Sequence, residues 1–289
     1  MRAVLSSLIA AALLAAMPAA FAEPAGRVEG VQMPAWIERD GKPAAPVMPG
    51  MELKSGDRLR TGPGARLLLK LAEGSLVKRG ENARLQFSEL MPSKDVFKAA
   101  LGVFEGAFRF TTELIVKKRR RDININVAQV TAGIRGTDLW GRSREENQII
   151  CLIEGAIEVG APEEKPVTMD KPLQFYQRTR GKTQPVAFVD RKQLDEWAKE
   201  TEIEAGKGAV RRGGAWKLEV ASASDQSSAL AVYDGLRSAG YPAEIRPAKQ
   251  GEKLTYVVRI SGLPSKAEAE ALGAQLRGKN GVADPRVTR

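Results

Sequence analysis

Trp216-Lys217-Leu218-Glu219-Val220-Ala221-Ser222 is answered 40 residues later by Tyr256-Val257-Val258-Arg259-Ile260-Ser261-Gly262. Each stretch opens on an aromatic side chain and alternates apolar with polar residues, the period of a strand with one buried face. The repeat extends past the strands: Ala229, Val232, Leu236 and Arg237 align with Ala269, Leu272, Leu276 and Arg277, an apolar stripe at helical spacing. Gly240-Tyr241-Pro242 turns the chain into a short strand at 243–246, and Gly281 precedes a last one at 286–288. Strand, helix, strand, twice over, predicts an α+β unit: a four-stranded antiparallel sheet with both helices on one face. Alternation assigns Trp216, Leu218, Val220, Tyr256, Val258 and Ile260 to the helix side. It leaves Lys217, Glu219, Ala221, Val257, Arg259 and Ser261 on the open side, and these six are the candidate binding residues.

Upstream, residues 27–189 read as an all-β domain of many short strands, with turn signals every 8 to 12 residues. Arg66 to Leu71, Leu76 to Lys78 and Ala83 to Phe87 are examples, separated by Ala72-Glu73-Gly74-Ser75 and Arg79-Gly80-Glu81-Asn82. Residues 190–205 switch to helical composition, with Leu194, Trp197, Ala198 and Ile203 among Lys and Glu. Residues 206–214 contain Gly206-Lys207-Gly208 and Arg211-Arg212-Gly213-Gly214, the composition of a flexible basic linker. The expected organisation is therefore 23–189, 190–205, 206–214 and 215–289, behind a leader at 1–22.

That leader carries Arg2, an apolar run from Ala3 to Met17, Pro18 and the small-residue close Ala20-Phe21-Ala22, the pattern of a secretory signal peptide. Removing Arg2, the one charge in the leader, leaves 44 basic and 35 acidic side chains, a balance of +9. Export turns that basic balance away from nucleic acid and toward an envelope polymer bearing carboxylates and phosphates. No later stretch reaches the length of a membrane span. The 289 residues contain no His and one Cys, which excludes Ser-His-Asp and Cys-His catalysis, histidine-ligated metals and an intrachain disulfide. No metal or other cofactor is implied. Hydrolysis by paired carboxylates needs a recognisable pocket context, and no acidic pair has one.

Residues 215–289 resemble a SPOR domain, the sporulation-related repeat of bacterial envelope proteins, through Trp216 to Ser222 and Tyr256 to Gly262. The resemblance implies binding of peptidoglycan glycan strands stripped of stem peptides. The family's usual first-strand glutamine is Glu219 here, and the aromatic that often ends that strand is Ala223. The N-terminal part resembles a FecR-like domain through Leu53 to Gly62, Glu73-Gly74-Ser75, Gly133-Ile134-Arg135-Gly136-Thr137 and Glu154 to Val159. In iron-uptake regulators such a domain follows an anti-sigma segment and a membrane span. Neither is read in this sequence, so the resemblance implies a protein-interaction module with an unidentified envelope partner.

Three further features have plain structural readings. The run Lys117-Lys118-Arg119-Arg120-Arg121 reads as a solvated hairpin tip, with an anionic anchor as its alternative. Ile134-Arg135-Gly136-Thr137 reads as a glycine-flanked turn in which Arg135 satisfies nearby carbonyls. Cys151, within Ile149 to Ile153, reads as a small core hydrophobe. The whole implies a periplasmic, non-enzymatic cell-wall-binding protein of cell division. Its alternative is a FecR-type regulatory module that the C-terminal domain only localises. Mass spectrometry of the exported protein is expected to find its N-terminus at Glu23, and an intact Met1 would refute the leader.

Overall fold

The computed structural model describes residues 24–93, 95–112, 120–250 and 253–289. The expected leader at 1–22 and Lys117, Lys118 and Arg119 of the basic run lie outside the described residues. The N-terminal unit contains β1 (Gly26–Gln32), β2 (Ala35–Glu38), β3 (Ala45–Pro46), β4 (Arg58–Thr61), β5 (Arg66–Leu71), β6 (Leu76–Arg79), β7 (Arg84–Pro92) and β8 (Val96–Thr111). It continues with β9 (Arg120–Val127), β10 (Val130–Arg144), β11 (Asn147–Gly160), β12 (Val167–Met169), β13 (Gln174–Thr179), β14 (Lys182–Thr183) and β15 (Ala187–Phe188). Then come α1 (Arg191–Lys199) and β16 (Val210–Arg211). The C-terminal unit is β17 (Trp216–Ala223), α2 (Gln226–Ser238), β18 (Glu244–Gln250), β19 (Lys253–Leu263), α3 (Lys266–Leu276) and β20 (Arg286–Thr288).

The N-terminal unit is all β up to α1, but its strands are not uniformly short. β8, β10 and β11 run for 16, 15 and 14 residues. Glycines that read as strand ends are bulges inside continuous strands instead. Between β10 and β11 the register shifts from Arg135 opposite Ala156 to Asp138 opposite Glu154. Gly136 and Gly155 take φ of +65° and +91° there, and a Cβ on Gly155 would lie 2.3 Å from the Gly136 carbonyl oxygen. Ile134 to Thr137 is therefore a bulged segment of β10, not a turn, and glycine is needed because the backbones touch.

A satellite core forms around Trp140, Ile149 and Cys151, all buried. Burial raises the Cys151 thiol pKa to about 12, so it packs as an apolar side chain. The helix α1 closes this cluster: Trp197 stacks on Trp140 with ring centroids 4.8 Å apart, and Leu194 packs beside it. Asp190 caps α1 by accepting from the Gln193 N–H. The helical composition of 200–205 does not extend the helix, because its carboxylates are drawn to separate strands. Glu200 pairs with Arg142 at 2.7 Å, Glu202 with Lys78 at 2.5 Å and Glu204 with Arg66 at 3.6 Å.

Residues 206–214 depart from the expected flexible linker. Val210 and Arg211 add an antiparallel strand to β1, opposite Val31 and Gly30. Ala209 and Val210 are 1% and 0% exposed. The Glu268 carboxylate, at the start of α3, accepts from the N–H groups of Gly206 at 2.7 Å, Gly208 at 2.6 Å and Ala209 at 3.1 Å. Gly208 packs so closely on Leu272 that a Cβ would lie 2.8 Å away. Composition signalled flexibility, but the glycines serve close approach and backbone donors facing one carboxylate.

A second contact joins the two units at Trp36 on β2. Its indole N–H donates to the Ser238 carbonyl at 3.0 Å, and the Ala35 N–H donates to the Gly240 carbonyl at 3.2 Å. Gly240 has φ of +84°, and a Cβ there would lie 2.7 Å from the indole. Both contacts make the junction part of the folded body. Glu268→Gln keeps the shape but supplies one acceptor oxygen where two are used; Glu268→Ala supplies none. Each lost charge-assisted hydrogen bond costs about 1.5 to 3 kcal/mol. Limited proteolysis should therefore spare 206–211 in the wild type and cut there first in Glu268→Ala, with Glu268→Gln intermediate.

Candidate functional site

The C-terminal sheet has the order β18-β19-β17-β20, all antiparallel. Its helices start at matched caps: Asp225 accepts from the Ser228 N–H and Ser265 from the Glu268 N–H. Leu218, Val220, Val258 and Ile260 from the sheet join Ala229, Leu236, Ala269, Leu272 and Leu276 from the helices in one buried cluster. The two helices therefore cover one face, as the repeat predicts, and the opposite face carries the polar side chains.

Cross-strand partners directly opposite each other share a face, so the register maps that surface. One rung reads Thr288, Lys217, Ser261 across β20, β17 and β19. The next crosses all four strands as Arg286, Glu219, Arg259 and Glu244, alternating in charge. Five of the six expected residues, Lys217, Glu219, Val257, Arg259 and Ser261, lie on this face and are half-buried.

Ala221 does not. The register of β17 shifts between Glu219 and Ala221, so Val220 bulges and Ala221 comes opposite Val258, which is fully buried. Beyond that bulge Ala221 packs against the helix-side core, while exposed Ser222 takes the open position opposite Val257. Strict alternation fails because one extra residue reverses the parity of everything after it.

Glu244 organises the centre of the face. Its Oε1 accepts from Arg259 Nε at 2.9 Å and Ser261 Oγ at 2.7 Å, and its Oε2 accepts from Arg246 Nη2 at 2.7 Å. Burial works against the charge on Glu244, but the hydrogen bonds from Ser261, Arg259 and Arg246 outweigh it and hold the carboxyl below its usual pKa. Arg259 is thus aimed by its neighbours instead of swinging free. Lys217 Nζ donates to the Arg289 carbonyl at 3.3 Å, and the Arg289 guanidinium sits 5.9 Å from the Trp216 ring. Beside these rungs a groove of about 560 Å³ runs between the sheet and residues 281–286, lined among others by Glu219, Ser222, Val257, Asp284 and Arg286, and also bordered by Ala221 at the bulge.

Glu244, Arg246, Ser222 and Arg286 are members of the face that strand-by-strand alternation did not supply. A signal for the first two was present: a hairpin pairing Gln250 with Lys253 brings Glu244 opposite Arg259. Arg286 follows from placing the last strand beside the first, which the helix order alone leaves unspecified.

A family model described as SPOR domain covers residues 212–285, and one described as FecR protein covers 57–158. The chain carries both domains. No curated protein matches it. Two solved structures, each titled "putative anti-sigma factor" from Parabacteroides distasonis, are similar at 11% and 14% identity. The first alignment covers 68% of this chain and 96% of the other with a TM-score of 0.41, and the second covers 76% and 89% with a TM-score of 0.40.

Since the pKa of Glu244 is depressed in the fold, its stabilisation is complete above the ordinary value of 4.5 and is lost as pH falls through the folded value. The melting-temperature gap between wild type and Glu244→Gln should be constant above pH about 5 and shrink below pH about 4.5. A gap that widens on acidification would contradict the assignment.

Proposed function

We propose that the protein is a periplasmic, non-enzymatic cell-wall-binding protein whose C-terminal domain holds peptidoglycan glycan strands lacking stem peptides and localises it to the division site. The observation that carries this reading is the uncovered face of the SPOR domain, where hydrogen-bonding side chains stand in register beside a shallow groove. Sugar hydroxyls need convergent donors and acceptors. Lys217, Arg259 and Arg286 supply donors, Glu219 an acceptor and Ser222 either. The basic side chains also suit lactyl carboxylates along a glycan. A flat face excludes strands with projecting peptides on steric grounds. Hydrophobic stacking is supplied by little more than Val257, so polar contacts dominate and binding should weaken with salt.

SPOR and FecR domains are binding or regulatory in kind and associate with the cell envelope, and no described helix is long and apolar enough to cross a membrane. The FecR domain serves as the module for a protein partner. The FecR match over 57–158 equally favours a regulatory role for that half, with the C-terminal domain as its address.

Purified mature protein should pellet with isolated peptidoglycan, and more strongly after an amidase has removed the stem peptides. Arg286→Ala, on an exposed side chain, should weaken pelleting several-fold at unchanged melting temperature. Arg259→Ala should weaken it further, with a melting shift worth about 1 kcal/mol, because Ser261 and Arg246 still hold Glu244. Equal pelleting before and after amidase treatment would rule out the ligand.

A further inference from the structure

The strands β2, β4, β7 and β8 lie side by side, and their core-facing residues Ile37, Leu59, Leu85 and Val103 are buried. The outer face has two rungs. One reads Glu38, Arg58, Gln86, Gly102 and the other Trp36, Arg60, Arg84, Glu105. Between them the β7–β8 register shifts from Arg84 opposite Glu105 to Leu85 opposite Val103, so Phe104 is an extra, bulged residue. Its ring lies over Gly102, where a Cβ would stand 3.1 Å from the ring carbons, and it remains 56% exposed. Alternation points this ring outward over the glycine, the bulge turns Glu105 out beside it, and the ring stands at the edge of a groove of about 520 Å³.

Arg58, Arg60 and Arg84 line the groove with one carboxylate, Glu38, and Glu105 stands opposite Arg84, so the balance is positive by one. Arg84 pairs with Glu105 at 3.2 Å, whereas Arg58 and Arg60 have no carboxylate within ion-pair distance among the described residues. Arg60 instead stacks on Trp36, 3.8 Å above the ring. Arg60 also stands directly opposite Arg84, and like charges in that position oppose folding. Ion pairing and stacking account for Arg84 and Arg60, but nothing among the described residues neutralises the excess positive charge beside the exposed phenylalanine. An acidic partner does. The groove also adjoins the junction, since Trp36 spans from Arg60 to Ser238 and Gly240.

We propose that this groove is the protein-docking site of the FecR domain, and that its occupant is an acidic peptide segment with an apolar side chain. The carboxylates meet Arg58 and Arg84, and the apolar side chain covers Phe104. Arginine forks bind carboxylates in bidentate fashion, and an exposed aromatic flanked by Arg has the composition of an interface centre. This inference rests on the protein-partner reading of that domain.

The test is selection of phage-displayed random peptides on the full mature protein, followed by affinity measurement with a synthetic copy of the best peptide. Selected sequences should be enriched in Asp and Glu around an apolar residue. Arg58→Gln and Phe104→Ala should each weaken the synthetic peptide about 10-fold or more, and Arg58→Lys much less, with melting temperatures unchanged. Peptides that lack acidic residues, or that bind both variants as well as wild type, would overturn the groove while leaving a protein partner elsewhere on the domain. Failure to select any peptide, with amidase-treated peptidoglycan pelleting lost in Phe104→Ala, would overturn the protein-partner reading too and give the groove to the glycan.

Discussion

One carboxylate fixes how the two halves meet. Glu268 sits at the first turn of the last helix, 8% exposed, and collects three backbone N–H groups from the segment that leaves the N-terminal unit. Buried donors without acceptors are costly, so a chain passing this point has one low-energy path. That path delivers Val210 and Arg211 to the edge of β1 and then Trp216 to the start of the C-terminal sheet. Trp36 closes the other side of the same junction. The glycine-rich passage thereby becomes a structural joint rather than a tether.

Much of the C-terminal half is legible from its repeat, because burial on one side of a sheet forces period two and burial of a helix stripe forces period three to four. The helix boundaries fall at Asp225 and Ser265, whose side chains cap them, and Leu218, Val258 and Ile260 are buried where alternation puts them. Ala221 is the exception that matters for the site. A bulge adds a residue without changing composition, so nothing in Val220-Ala221-Ser222 announces it. The same blindness affects the N-terminal half, where Gly136 and Gly155 look like turn residues yet lie within strands of 15 and 14 residues.

Linker composition misleads for a related reason. Glycine is compatible with freedom and also with contact closer than a Cβ permits, and only the partner distinguishes the two uses. At Gly208 the partner is Leu272, 64 residues away in sequence, and at Gly240 it is Trp36, 204 residues away. Local reading has no access to such distances. It does find the anchors themselves: the helical stripe of 190–205 includes Trp197, which closes the cluster around Trp140 and Cys151.

Bulges recur at both candidate surfaces, and their effect is the same. At Val220 the added residue turns Ser222 outward beside the groove of the C-terminal sheet. At Phe104 it turns Glu105 outward onto the same face as the exposed ring, opposite Arg84. Each sacrifices ladder regularity to re-aim a side chain, which is tolerable in a sheet whose other face is packed. The joint then gives these two faces a shared consequence. The C-terminal sheet face and the surface beside Trp36 are related through backbone contacts at Glu268 and Gly240, not through a mobile chain. Occupancy of both faces at once would therefore be set by the geometry of one folded body, and an effective concentration governed by linker length would not apply.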